Sequence, residues 1–148
     1  MKISRKGRYA LRTLIYFAMN GKEKKITLNH VAKANGISVK YLEQIYASLR
    51  RAGIVKSEHG INGGYILNKS PEKITVEEIL DAVEGDYRIE AEEISKDCLF
   101  SGISEIIQTR VIDEINDKTG EIISNLTLQD LVNDYNESCK AVDEMYYI

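Results

Sequence analysis

The sequence predicts a mainly α fold with one small β-hairpin, organised as a compact region over residues 1–73 followed by a helical arm over residues 74–148. Three observations carry this expectation. Apolar residues recur at helical spacing through most of the chain, two short β-prone runs flank a Gly- and Asn-rich tip, and charge divides sharply after Lys73. The first region holds 15 Lys/Arg against 4 Asp/Glu, net +11, and the second holds 5 against 19, net −14. The overall charge of −3 conceals that division. Cations gathered on one compact region are the electrostatic footprint of a nucleic-acid binder, because a polyanion is held by cations that displace its condensed counterions.

From Ser4 to Met19, the residues Leu11, Leu14, Ile15 and Ala18 fall at i, i+3, i+4 and i+7, one face of an amphipathic helix that Gly21 is expected to stop. A short helix over Leu28 to Asn35 follows, with Thr27 as N-cap and Val31 and Ala32 turned inward. Asn35-Gly36-Ile37-Ser38 then makes a tight turn: Asn-Gly supplies positive φ, and the Ser38 hydroxyl caps the next helix. In that helix, Val39 to Ala52, the residues Leu42, Ile45, Tyr46 and Leu49 form the buried side, and Lys40, Gln44, Ala47 and Arg51 lie opposite. After Gly53 two β-prone runs surround a tip at Gly60 to Gly64, the pattern of a hairpin. Helix, short Gly-containing turn, helix and hairpin, in that order, spell a winged helix-turn-helix.

The exposed face of the second helix suits a major groove. Gln44 can pair bidentately with adenine and Lys40 or Arg51 with guanine, while Ala47 lets the backbone approach; Glu43, on the flank, can accept from a cytosine amino group or repel phosphate. The hairpin tip, with His59 and Asn62 as polar handles beside Gly63, has little side-chain bulk to obstruct a narrow minor groove. The same stretch fails as a phosphate loop. Gly63 and Lys69-Ser70 stand at Walker spacing, but Asn68 occupies the second required Gly and Tyr65-Ile66-Leu67 reads as strand.

Four motifs carry a family resemblance: the opening Met-Lys-Ile-Ser-Arg-Lys-Gly-Arg-Tyr-Ala, Tyr41-Leu42-Glu43-Gln44, Leu49-Arg50-Arg51-Ala52-Gly53-Ile54-Val55, and the Gly60-x-x-Gly63-Gly64-Tyr65 wing. In this order they resemble the Rrf-two family of bacterial winged-helix regulators. The resemblance implies that Ser38, Lys40, Tyr41, Glu43 and Gln44 meet the major groove and that Lys6, Arg8, Arg50 and Arg51 lie near phosphates. One position departs from the family: where many members carry Arg just before the first wing Gly, this chain has His59. An imidazole should hold the minor groove more weakly than a guanidinium.

Pro71 breaks the chain, and Thr75-x-x-Glu78 reads as a capping box opening a helix through Val83, with Ile79, Leu80 and Val83 inward and Gly85 as its end. Asp86 to Cys98 reads as acidic, irregular and exposed. Ile103, Ile107, Val111, Ile115, Ile122 and Leu126 then step along one helix of roughly 25 residues, about 37 Å. Such a stripe exceeds what a small winged helix can cover, so it is expected to pair with a second copy. A two-fold dimer presents two recognition helices to inverted half-sites, and the expected ligand is pseudo-palindromic double-stranded DNA. Thr127-x-x-Asp130 caps a shorter helix containing Leu128, Leu131 and Val132.

No catalytic constellation is expected: His30 and His59 lack a nearby nucleophile or paired carboxylates, so the protein is read as a non-enzyme. The longest near-pure apolar run, Leu14 to Met19, is too short to cross a bilayer, and the N-terminus lacks the apolar core of a secretory signal. A cytoplasmic protein is expected. The two cysteines, Cys98 and Cys139, lie 41 residues apart, giving neither a disulfide framework nor paired metal ligands. The family's iron–sulfur branch clusters three cysteines before the long helix, whereas this chain has Cys98 there, so no metal or other cofactor is expected. Cys98 remains a candidate redox thiol, although Glu92, Glu93 and Asp97 disfavour its thiolate and a spectator role is the simpler reading. Sparse cysteines resemble the CymR-type branch, regulators of cysteine metabolism in which the signal is relayed by a protein, cysteine synthase. The apolar end at Tyr147 and Ile148 offers a terminal carboxylate for partner docking, or packs on the protein's own arm.

Overall fold

The computed structural model describes residues 2–20, 25–60, 63–95, 97 and 99–146. Helix α1 (Arg5–Asn20) buries Ala10, Leu14, Phe17 and Ala18, with Leu11 and Ile15 packed at the margin of the core. Gly21, its expected terminator, lies outside the described residues. In α2 (Leu28–Asn35) the Thr27 side chain accepts from His30 N, and Gly36 ends the helix at φ 64°, a left-handed conformation that favours glycine. The Ser38 hydroxyl accepts from Tyr41 N and opens α3 (Val39–Arg51), whose Leu42, Ile45, Tyr46 and Leu49 are buried as the periodicity requires.

Strands β1 (Val55–Glu58) and β2 (Gly64–Leu67) pair antiparallel, with Val55 opposite Leu67 and Glu58 opposite Gly64. The hairpin is braced from outside. Ile26 exchanges two backbone hydrogen bonds with Tyr65, at 3.1 and 2.9 Å, and Lys25 forms an ion pair with Glu58 at 2.8 Å. A one-residue bridge leaves no periodic pattern, so no sequence signal announces it. Gly64 permits the close approach: a Cβ there would sit 2.9 Å from Ile26 O.

A short 3₁₀ turn over Pro71–Lys73 leads into α4 (Val76–Glu84), whose expected capping box is present in full, Thr75 and Glu78 each accepting from the other's backbone N–H. Charge changes sign at this point, but packing does not. Ile74, Ile79, Val83, Leu128 and Val132 join Leu14, Phe17, Leu42 and Leu49 in one core, so the charge boundary is a property of the surface. Tyr87 turns inward and packs with Val76, Leu80 and Ile123 in a smaller cluster. The expectation that Asp86 to Cys98 is uniformly exposed is therefore corrected at Tyr87 and at Ile89, whose N–H and C=O both bond the Asn116 side chain at 2.9 Å.

The long helix is continuous over 25 residues but not uniform. It runs as α5 (Ser101–Ile107), a π-helical stretch over Gln108–Asp113, and α6 (Glu114–Asn125). A strict four-residue apolar spacing, Ile103 to Ile107 to Val111 to Ile115, drifts around a helix of 3.6 residues per turn, and the wider i→i+5 turn takes up that drift. The last helix, α7 (Leu128–Tyr146), has 19 residues and is longer than expected. Its start is fixed by Leu128 N bonding Ile74 O and by reciprocal bonds between Thr127 and Asp130. Leu128 and Val132 enter the core, while residues 133–146 are exposed. None of the helices among the described residues is long and apolar enough to cross a membrane.

Candidate nucleic-acid interface

Helix α3 supplies the centre of the candidate interface because its buried side packs against α1 and α4 and leaves the opposite side open. Ser38, Lys40, Glu43, Gln44, Arg50 and Arg51 are exposed. Tyr41 is half-buried: its ring meets Tyr9 of α1 edge-on, centroids 5.8 Å apart, which orients the first turn of α3 against α1. The Arg12 guanidinium stacks over the Tyr9 ring at 5.6 Å, placing beside that turn a cation that the helix-turn-helix pattern does not single out. A signal for it exists in the sequence, since Arg5, Arg8 and Arg12 share one face of α1. Of the two expected α1 cations, Arg8 is exposed and Lys6 half-buried.

At the far end of α3 the two arginines are steered separately. Arg50 Nη1 donates to Ser57 Oγ at 3.4 Å, tying the helix to the wing, and Arg51 Nη2 donates to Ser48 Oγ at 3.1 Å. On the wing itself His59 and Lys56 are exposed, and Gly63 N donates to Gly60 O at 2.9 Å across the tip. Asn62, the other expected polar handle, lies outside the described residues, as do Cys98, Tyr147 and Ile148. The hydrogen bond and charge of Lys25 beside Glu58 hold that carboxyl below its usual range. His30 is occupied structurally, its Nε2 lying 2.8 Å from the Tyr16 hydroxyl.

The arm carries a second surface. Ile103, Ile107, Val111, Ile115 and Ile122, the stripe expected to pair, are 41–65 % exposed, an unusually apolar face for solvent. Leu99 and Phe100 extend it at one end.

This arrangement, an open-faced helix in a helical core with a braced wing and an appended long helix, has counterparts among known proteins. Residues 3–134 match the sequence model of the Rrf2 family, described as an iron-dependent transcriptional regulator. The chain belongs to the Rrf2 family. Among its relatives, the HTH-type transcriptional regulator CymR of Bacillus subtilis is 37% identical over 133 residues, 90% of this chain and 91% of that protein. The regulator IscR of Pectobacterium carotovorum is 32% identical, over 90% of this chain and 80% of that protein. The solved structure of B. subtilis CymR, the global cysteine regulator, superposes with a TM-score of 0.73 at 35% identity, covering 90% of this chain and 97% of that one. This Rrf2 protein is accordingly a winged-helix, DNA-binding transcriptional regulator. Its relatives are regulators rather than enzymes.

Proposed function

We propose that this protein is a homodimeric repressor of cysteine and sulfur metabolism genes, acting in the cytoplasm under the control of a partner protein such as cysteine synthase. The observation that carries the DNA-binding part is the open face of α3, with Lys40, Gln44 and Arg51 exposed between α1 and a braced wing. Ser38, Lys40, Tyr41, Glu43 and Gln44 are assigned to base edges, Lys6, Arg8, Arg50 and Arg51 to phosphates, and His59, Asn62 and Gly63 to the minor groove. Dimerisation is assigned to the exposed stripe on the arm, and it makes the operator a pseudo-palindrome. The cysteine-specific role is supported by the likeness to CymR.

Anisotropy titration against a pseudo-palindromic duplex at several salt concentrations tests the reading. Affinity should fall steeply and log-linearly with salt. Salt-insensitive or absent DNA binding would leave a winged helix used for protein interaction. The two halves of the interface are separable: Gln44→Ala is expected to cost about 1–3 kcal/mol at one base position, whereas Arg50→Ala weakens every sequence alike. Identical profiles for the two variants would overturn the docking of α3.

The proposed partner contact is the apolar pair Tyr147-Ile148, whose side chains suit a pocket on the partner. Deleting both residues should abolish capture of purified cysteine synthase, and unchanged capture would remove the tail from the interface. The family description and the likeness to IscR favour a rival reading, an iron–sulfur or redox regulator. Thiolate ligation needs several cysteines in one place, and the chain has two, 41 residues apart. Anaerobically purified protein should be colourless with Cys98 a spectator; a brown solution with visible absorption would decide for the cluster.

A further inference from the structure

Helix α1 begins under a carboxylate from a distant part of the chain. Glu84, the last residue of α4, brings Oε1 to 2.9 Å from Ser4 N, 2.8 Å from Ser4 Oγ and 3.0 Å from Gly7 N, and accepts from all three. Ser4 Oγ itself accepts from Lys6 N at 3.1 Å, and Arg8 N donates to Ser4 O at 3.2 Å. The first turn of a helix presents N–H groups without intrahelical partners and a partial positive charge, so a carboxylate placed there satisfies both. Gly7 leaves the space for it, since a Cβ at that position would collide with Glu84 Oε1. Carboxylate and glycine form one lock, and the turn they hold carries Lys6 and Arg8.

The other side of Glu84 leads to the arm. Gly85 follows with φ 75°, then Tyr87 in the smaller core and Ile89 clamped by Asn116 of α6. Glu84 thus stands at the end of α4, where the chain leaves the main core for Tyr87 and the long helix, and the segments on both sides of it are packed. A carboxylate in that place would be a liability beside DNA if it served no positioning role, because it adds negative charge near a polyanion.

We propose that Glu84 is a positioning residue for DNA binding: its carboxylate sets the first turn of α1 so that Lys6 and Arg8 both reach phosphates. The inference rests on the DNA-binding reading above and gives it a sign. Simple electrostatics says that neutralising Glu84 strengthens DNA binding. Positioning says that it weakens it.

The experiment uses the full chain and a mixed-sequence duplex of about 30 base pairs, since phosphate contacts are independent of sequence. Affinity is measured against salt for the wild type, Glu84→Gln, the Lys6→Ala/Arg8→Ala double variant and the triple variant, with circular dichroism as the check on folding. Glu84→Gln should bind roughly tenfold more weakly at low salt, with a salt slope shallower by about 1–2, one for each phosphate no longer neutralised. In the Lys6→Ala/Arg8→Ala background the same change should have no further effect, because the groups through which it acts are gone. A defect in folding alone would leave the slope unchanged and persist in that background. Should Glu84→Gln not fold, Ser4→Ala removes one of the three donors and is expected to lower affinity and slope in the same direction by a smaller amount. Wild-type or tighter binding by the folded variant, or additive effects in the double background, would overturn the proposal. A wild-type protein with no salt-sensitive affinity would instead sink the DNA-binding reading itself.

Discussion

Replacing Ile107 and Val111 together with Glu is expected to break the proposed homodimer into monomers and to lower operator affinity by at least about 100-fold, since one half-site is then bound without the other. The two side chains are each 47% exposed and sit on either side of the junction between α5 and the π-helical stretch, where the four-residue spacing is kept in line. Two carboxylates placed there lose solvation on pairing, and that cost falls on the dimer alone. Neither side chain enters the main core, so the winged helix should fold as before. Size-exclusion chromatography with light scattering reads the mass, and anisotropy reads the affinity. A monomeric variant that bound a pseudo-palindrome at wild-type strength would sink the two-fold reading.

Leu49→Ala is expected to show the largest loss of stability, about 2–5 kcal/mol, corresponding to a fall in Tm of roughly 10 °C for a chain of this size. Leu49 has no exposed surface and lies in the main core together with residues of α1 and α4, while its carbonyl accepts from Ile54 N at 3.0 Å where α3 hands over to the wing. Truncation there strips packing from several elements at once and loosens the base of the hairpin. Lys40→Ala, on the open face of the same helix, should leave Tm within about 1–2 °C, because its side chain is solvated in the free protein. Thermal melts followed by circular dichroism separate the two. A Leu49→Ala variant melting with the wild type would show that the core closes around the deletion.

Much of the fold was legible because local physics and tertiary packing agree through the first 80 residues. Thr27, Ser38 and Thr75 cap helices through their own side chains, and Gly36 meets a backbone angle that other residues adopt at a cost. The buried side of α3 followed from the positions of Leu42, Ile45, Tyr46 and Leu49, and its open side followed with it. The arm was harder. A four-residue apolar spacing announces a helix but not the π-helical stretch that keeps the stripe straight, and the polar residues 133–146 carry no stripe strong enough to show that α7 continues to Tyr146. Tyr87 was lost between two exposed charged neighbours, Asp86 and Arg88.

The candidate site divides in the same way. Which residues lie on the open face of α3 could be read from the helix-turn-helix pattern, because a helix face is defined by its own periodicity. The contacts that orient them could not. Tyr9 against Tyr41, Ile26 against Tyr65 and Glu84 over Ser4 join positions 32, 39 and 80 residues apart, and each is a single encounter with no repeat to betray it.

By itself, then, the sequence determined which segments become helices, which faces they bury, where the cations gather and which family the chain resembles, since these depend on neighbours within a few residues. Only the tertiary structure decided that one core runs beneath the charge boundary at Lys73, that the wing leans on a third segment, and that α4 caps α1. Those outcomes depend on surfaces meeting after the chain has closed on itself, where excluded volume and hydrogen-bond geometry select partners that no local pattern names.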